Sequence, residues 1–260
     1  MQIIDTHSHF NLTQFDGDRE EVIARMEAAG VGTLCVGVDE ETSVKAVALA
    51  GAHKSIWAIV GQHPTEWYQA FSIDAFTMLA QQPRVVAIGE CGLDYFREQE
   101  REHVQEQRVL FESQIALAKE TDLPLMLHIR PTQGTTDAYE DALDILEAWK
   151  RGWPTMRGTA HFFVGTKEIA DRFLALGFHI SFSGVITIFP EYEEIVRHVP
   201  LERILPETDA PFASPLPWRG KRCEPQYVLE TIKKIAEIKM ISLQDVEYQL
   251  TKNTKEIFTI

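Results

Sequence analysis

Cysteine is scarce in this chain: Cys35, Cys91 and Cys223 are all there are among 260 residues. They are odd in number, far apart and without paired spacing, which excludes a disulfide framework and points to free thiols in a reducing compartment. Long apolar runs are missing too. No stretch approaches the roughly 20 consecutive apolar residues that a membrane-spanning helix needs. The first residues pass straight into a strand pattern without a basic-then-apolar leader, so the cytoplasm is the expected location. Positive charge is short, with 25 Lys and Arg against 39 Asp and Glu and a formal net charge of -14. That balance excludes a protein that grips nucleic acid through a broad basic surface. It leaves room for an enzyme acting on phosphodiesters, because bound divalent cations would supply positive charge locally. No Gly-x-Gly-x-x-Gly or P-loop pattern follows any strand-like run, which weighs against nucleotide-cofactor folds. Linkers, low-complexity tracts and long charge blocks are also lacking, and residues 1–260 are read as a single domain.

What is present is an apolar strand-like run followed by a helix-like stretch, repeated along the chain. The strands are expected near residues 3–9, 33–38, 56–61, 85–89, 124–128, 158–163, 179–183 and 203–209. Helices are expected between them, including a long one over 99–121, and two more at 225–239 and 242–258 close the chain. Strands that are apolar on both faces, each followed by a helix, fit a (β/α)₈ barrel better than an open doubly wound sheet. Pro206 is a misfit inside the eighth strand, since it lacks the N–H a ladder bond needs.

Barrel enzymes place their chemistry at the C-terminal ends of their strands. The first strand ends in Asp5-Thr6-His7-Ser8-His9. Strand side chains alternate, so both imidazoles are expected on one side, as half of a metal site. An isolated His-x-His is as often a pair of ordinary histidines, and the other strand ends decide between the two readings. They carry His63 (third), Glu90 (fourth), His128 (fifth), His161 (sixth) and Asp209 (eighth). His53, His103 and His198 fall in solvated positions, and His179 begins its strand at the wrong end. Four imidazoles and two carboxylates (His7, His9, Glu90, His128, His161, Asp209) suit two divalent ions that share Glu90 as a bridge. Two such ions about 4 Å apart acidify a bound water and clamp the attacking and leaving oxygens. Asp209 is placed to hold one ion and to accept the proton of the attacking water. Nitrogen-rich ligation favours Zn²⁺, with Mg²⁺ or Mn²⁺ as alternatives.

His7-Ser8-His9, Gly61-Gln62-His63-Pro64, Gly89-Glu90-Cys91-Gly92-Leu93-Asp94, His128, His161-Phe162-Phe163 and Glu207-Thr208-Asp209-Ala210-Pro211 resemble, in order and spacing, the successive motifs of the TatD-related hydrolases. Arg219-Gly220-Lys221, Glu224-Pro225 and Asn253-Thr254 extend the resemblance to the end of the chain. It implies metal-dependent hydrolysis of DNA, including trimming from 3′ ends. It also implies that His7, His9, Glu90 and Asp209 hold one ion, that Glu90, His128 and His161 hold the other, and that His63 approaches the substrate phosphate. The chain departs from the family pattern at Phe162 and Val164, where Cys and Thr are usual, at Pro131 in place of Asp, and at Cys223 in place of Asn. These departures spare the ligands and bear on the substrate.

Arg130 lies beside a ligand and is expected to contact phosphate; Arg219, Lys221 and Arg222 are weaker candidates. Among the loop aromatics Trp67, Tyr68, Tyr95, Phe96, Phe212 and Trp218, Tyr95 is the expected base-stacking residue. Cys91 is expected to point away from the Glu90 face as a buried thiol. The sequence therefore reads as a hydrolase of DNA phosphodiesters, single-stranded or at an end, with neither a membrane nor a stable protein partner. The alternatives are an amidohydrolase of a small cyclic amide, ester or phosphotriester, and a non-catalytic metal-binding protein. Related barrels with the former activity often bridge their ions with a carboxylated lysine, and no lysine stands at a strand end here. An intact Asp209 argues against the latter.

Overall fold

The computed structural model describes residues 3–260. Its strands are β1 (Ile3–Ser8), β2 (Val31–Val36), β3 (Ile56–Val60), β4 (Val85–Asp94), β5 (Leu125–Arg130), β6 (Gly158–Ala160), β7 (His179–Phe182) and β8 (Ile204–Pro206). They pair in chain order, every pair parallel. The intervening and closing helices are α1 (Arg19–Ala28), α2 (Glu40–Ala52), α3 (Ile73–Ala80), α4 (Glu98–Glu102), α5 (Val104–Thr121), α6 (Asp137–Lys150), α7 (Lys167–Ala175), α8 (Glu193–His198), α9 (Val228–Lys239) and α10 (Leu243–Phe258). This is the expected (β/α)₈ barrel. The long helix expected over 99–121 is broken at His103 into α4 and α5.

Local chemistry sets the helix starts. Asp39 and Thr42 form a reciprocal capping box on α2, while Ser72, Thr166 and Ser242 accept backbone N–H groups at the starts of α3, α7 and α10. Each such cap contributes about 1 kcal/mol by satisfying a donor that the helix leaves open. Between strands and helices lies the main apolar layer. A smaller cluster of Ile4, Leu34, Ile59, Val86, Met126 and Leu205 comes from six strands and packs with Ile257 and Phe258 at the end of α10. It forms the floor of the barrel.

Above that floor β8 is too short to run a regular ladder along β1. The seam is stitched instead by Thr6, whose hydroxyl donates to the Pro206 carbonyl, and by the fully buried Asp5, whose carboxylate receives both the N–H and the hydroxyl of Thr208. The Asp209 N–H then donates to the His7 carbonyl at 2.9 Å, and His9 N–H to that of Ala210 at 2.6 Å. Pro206 is accommodated because it is the last residue of β8.

Candidate dinuclear metal centre

Two strands change register where the site begins. In β1, Asp5 and Ser8 are three residues apart but face Thr33 and Cys35, which are two apart. In β4, Ile88 and Cys91 likewise face Leu125 and Leu127. Each bulge carries an extra residue that re-aims the side chains beyond it. The bulge in β4 depends on glycine. Gly89 has φ of 155°, and a Cβ there would lie 2.5 Å from the Met126 carbonyl oxygen; at Gly92, φ is 144° and a Cβ would come within 2.0 Å of the His128 carbonyl oxygen. Only glycine lets this backbone press so close to β5 and turn Glu90 inward. Cys91 points the other way and is buried, its thiol against the Met126 carbonyl, as expected.

Glu90 stands at the centre, and its two oxygens face different partners. Oε2 lies 3.4 Å from His7 Nε2 and 3.4 Å from His9 Nε2. Oε1 lies 3.0 Å from His161 Nε2, 2.6 Å from His128 Nδ1 and 3.6 Å from His63 Nε2. Asp209, held in the left-handed region at φ 64°, brings Oδ1 to 3.8 Å from His7 Nε2 and 3.5 Å from His9 Nε2. The two imidazole nitrogens of the His-x-His pair are 3.2 Å apart. All seven strand-end side chains expected at the site are therefore brought together.

The donor set fits metal ions. An ion with four ligand bonds of about 2.1 Å needs donor atoms about 3.4 Å apart. The His7, His9, Glu90 and Asp209 atoms are spaced at 3.2, 3.4, 3.5 and 3.8 Å. Glu90 Oε2 is buried yet has no hydrogen-bond partner. Charge points the same way. Asp5, Glu90, Asp94, Glu207 and Glu224 are buried, whereas no lysine or arginine is buried among the described residues. Glu224 is paired with Arg25 at 2.9 Å. The others depend on imidazolium protons, hydrogen bonds or bound cations, since buried charge without compensation is very costly.

The ionisation tendencies express that demand. Burial works against the Glu90 charge, but the surrounding His161, His7 and His63 hold its carboxyl well below the usual range. Burial likewise opposes charge on His128, yet hydrogen bonds with Asp94 and Glu90 lift it to about 9. His161 is also raised well above its usual value, against burial, by Glu90 and Glu207. His7 is lowered, chiefly by burial. The cluster attracts positive charge as a unit.

Three further placements shape the site. Asp94 Oδ2 is 3.0 Å from His128 Nε2, so Glu90 and Asp94 hold that ring from both sides. Glu207 accepts the Phe162 N–H at 2.6 Å and the Ser181 hydroxyl at 2.5 Å, and its Oε1 lies 3.4 Å from His161 Nδ1. Both carboxylates orient imidazoles, as the outer partners of metal-binding histidines do. The period-two count from Glu90 through Gly92 reaches Asp94, so that residue carries a signal in the sequence. His63 is fixed by Thr65, whose N–H donates to Nδ1 at 3.2 Å. A nitrogen that accepts carries the lone pair, so the proton of the neutral ring sits on Nε2, facing Glu90. Burial, with His128 nearby, pushes His63 down to about 3 and keeps it neutral.

Tyr95 requires a correction. It is 3% exposed and its hydroxyl donates to Asp141 at 2.9 Å, so it presents no face for a base. The residue after Asp94 falls on the outer parity of β4, which turns its ring into the packing against α6. Arg130 does reach the mouth of the barrel, where its guanidinium is stacked 3.7 Å from the centre of the exposed Phe96 ring. Arg222 pairs with Asp18 at 2.7 Å instead of facing the site.

The family model described as TatD related DNase matches residues 4–259. The chain belongs to the TatD-related family. Among TatD relatives, the "uncharacterized metal-dependent hydrolase YabD" of Bacillus subtilis is 37% identical, with 99% of each chain covered. The "3'-5' ssDNA/RNA exonuclease TatD" of Klebsiella pneumoniae is 35% identical over 96% of each chain. The solved structure of YJJV, a TatD homolog from Escherichia coli K12, superposes with a TM-score of 0.89 at 28% identity, covering 99% of this chain and 98% of that one. No helix among the described residues is long and apolar enough to cross a membrane.

Proposed function

We propose that this TatD-related chain is a metal-dependent hydrolase that removes nucleotides from the 3′ ends of single-stranded DNA. The observation that carries the reading is Glu90. One carboxylate oxygen faces His7 and His9, and the other faces His161 and His128, which is the arrangement of a bridge between two cation sites. His7, His9, Glu90 and Asp209 would hold one divalent ion; Glu90, His161 and His128 would hold the other. Zn²⁺ is the ion their nitrogen-rich donors favour, ahead of Mn²⁺ or Mg²⁺. When bound, such a pair supplies Lewis acidity and lowers the pKa of a coordinated water.

The chain's own residues supply the rest. Burial opposes charge on Asp209, but its hydrogen bond with His9 holds its carboxyl below the usual range, so it is ionised at neutral pH and able to accept the proton of the attacking water. His63 offers Nε2–H, a donor suited to a non-bridging phosphate oxygen. Arg130 adds a permanent positive charge at the rim for the next phosphate. The three cysteines are free and buried, as in a reducing compartment, and we assign the protein to the cytoplasm.

A substrate panel tests the reading with purified, metal-defined protein: 3′-labelled single-stranded DNA, duplex DNA, RNA, and small esters and lactams. Release of mononucleotides from single-stranded DNA is expected, with slower attack on duplex. Turnover of lactams or esters without any DNA cleavage would replace the nuclease reading with the amidohydrolase one.

A further inference from the structure

The imidazoles of the site form part of a row of rings that ends in an exposed phenyl group. His161 stacks on His7 with centroids 3.8 Å apart, His7 meets His9 edge-on at 4.9 Å, and His9 meets Phe212 edge-on at 6.1 Å. The three histidines are buried, while Phe212 is 48% exposed. Its main chain, in contrast, is held firmly. The Phe212 N–H donates to the Asp209 carbonyl at 2.8 Å, and the Pro211 carbonyl accepts the Cys223 N–H at 3.0 Å. Ala210 and Pro211, which lead into it, are buried. The loop thus spans only two residues from Asp209 and presents a large apolar ring to solvent at the lip of a buried, charged site.

An apolar ring left half in water beside polar machinery is informative where a scattered surface phenylalanine is not. Its backbone is preorganised, so a ligand that covered it would pay little to order it. A nucleobase is a suitable cover, because every base has a flat π-face and stacking on an aromatic side chain is tolerant of base identity. We propose that Phe212 is a specificity-determining residue that stacks on the base of one of the two nucleotides joined by the scissile phosphate. This rests on the nuclease reading above and deepens it: the site requires a base beside the bond it cuts but not a particular base. The stacking role expected of Tyr95 passes to a residue on the opposite side of the barrel mouth, next to Asp209.

The experiment compares wild type, Phe212→Ala and Phe212→Trp, loaded with the same metal, on three 3′-labelled oligonucleotides. One is unmodified, one has an abasic 3′-terminal nucleotide and one an abasic penultimate nucleotide. Phe212→Ala is expected to raise KM on the unmodified strand about tenfold with kcat little changed, the size of effect one lost base–aromatic stack gives. On one of the two abasic strands, the variant and the wild type should converge. Phe212→Trp, which keeps a stacking face, should restore most of the loss. Cleavage of the unmodified strand by Phe212→Ala with wild-type constants would overturn the inference while leaving the nuclease reading in place. An equal loss on all three strands would also overturn it, by showing a structural role. Wild-type protein that cleaves none of the strands removes the nuclease reading itself, and this inference with it.

Discussion

At the residue scale, Asp209 is the side chain proposed both to hold an ion and to accept a proton. It is 3.5 Å from His9 Nε2 and sits in the left-handed region, a conformation that a non-glycine residue holds only when its surroundings fix it. Asp209→Asn preserves size and the turn but removes the charge that accepts a proton. Its kcat is expected to fall by roughly 10²-fold or more while thermal stability stays near wild type, since a positioned base contributes about 10²–10⁴. Wild-type turnover in that variant would remove Asp209 from proton transfer. The other candidate ligands are legible because strand alternation and strand ends are both sequence properties. Tyr95 shows how the same rule is misapplied. The parity that correctly turns Cys91 away from Glu90 also turns Tyr95 away and selects Asp94, which holds His128. What no residue-level pattern contains is Glu207 reaching His161. That contact joins the strand ends of β6 and β8, and Phe162, 45 residues before Glu207, adds its N–H to the same carboxylate.

At the scale of elements, the barrel's eight strands were readable from apolar runs, but the bulges that aim the site were not. A bulge is a mismatch between two strands, and a single strand's sequence does not state its partner's register. Glycine is the nearest trace of one in β4. Gly92→Ala would force a methyl carbon to within 2.0 Å of the His128 carbonyl at an unfavourable φ. Relief requires β4 to move away from β5, and with it Glu90 from His128. The variant is expected to lose about 1–3 kcal/mol of stability in chemical denaturation, the usual cost of overpacking, and to bind less metal as isolated. Full metal content in a folded Gly92→Ala protein would show that the close approach is incidental to the site. β8 illustrates the opposite case. The sequence predicts a strand over residues 203–209, yet β8 ends at Pro206, which has no N–H to offer a neighbour, and Asp5 closes the seam with its side chain.

Across the whole molecule, stability and site share the same buried polar groups, and pH separates them. His179, at the start of β7 and so at the opposite strand end from the candidate site, is pushed down to about 4 by burial, with Arg203 adding to the effect. In the unfolded chain it titrates near 6.5. Protons therefore bind the unfolded state first, so its contribution is intact above about pH 6.5 and is lost as pH falls toward 4. Between pH 7.5 and 4.5 the wild type should lose roughly 2–3 kcal/mol more than His179→Gln, with acid effects of the metal site common to both and cancelling. Equal slopes would mean that His179 is protonated in the fold. Metal should act on stability from the other end of the barrel. The proposed ligands His7, His9, Glu90, His128, His161 and Asp209 come from the ends of five strands, and an ion held by His7, His9, Glu90 and Asp209 would join both sides of the β1–β8 seam, so it binds only the closed barrel. Saturation at 100-fold above Kd stabilises by about 2.7 kcal/mol per ion, which for a domain of this size is a rise in Tm of several degrees. Chelation should reverse it, and the shift should shrink most in Glu90→Gln, whose side chain faces both ligand sets, less in His128→Gln, which touches only one. A Tm unmoved by chelator in protein shown to carry metal would break this linkage, because an ion bound across the seam cannot be neutral to the seam's opening.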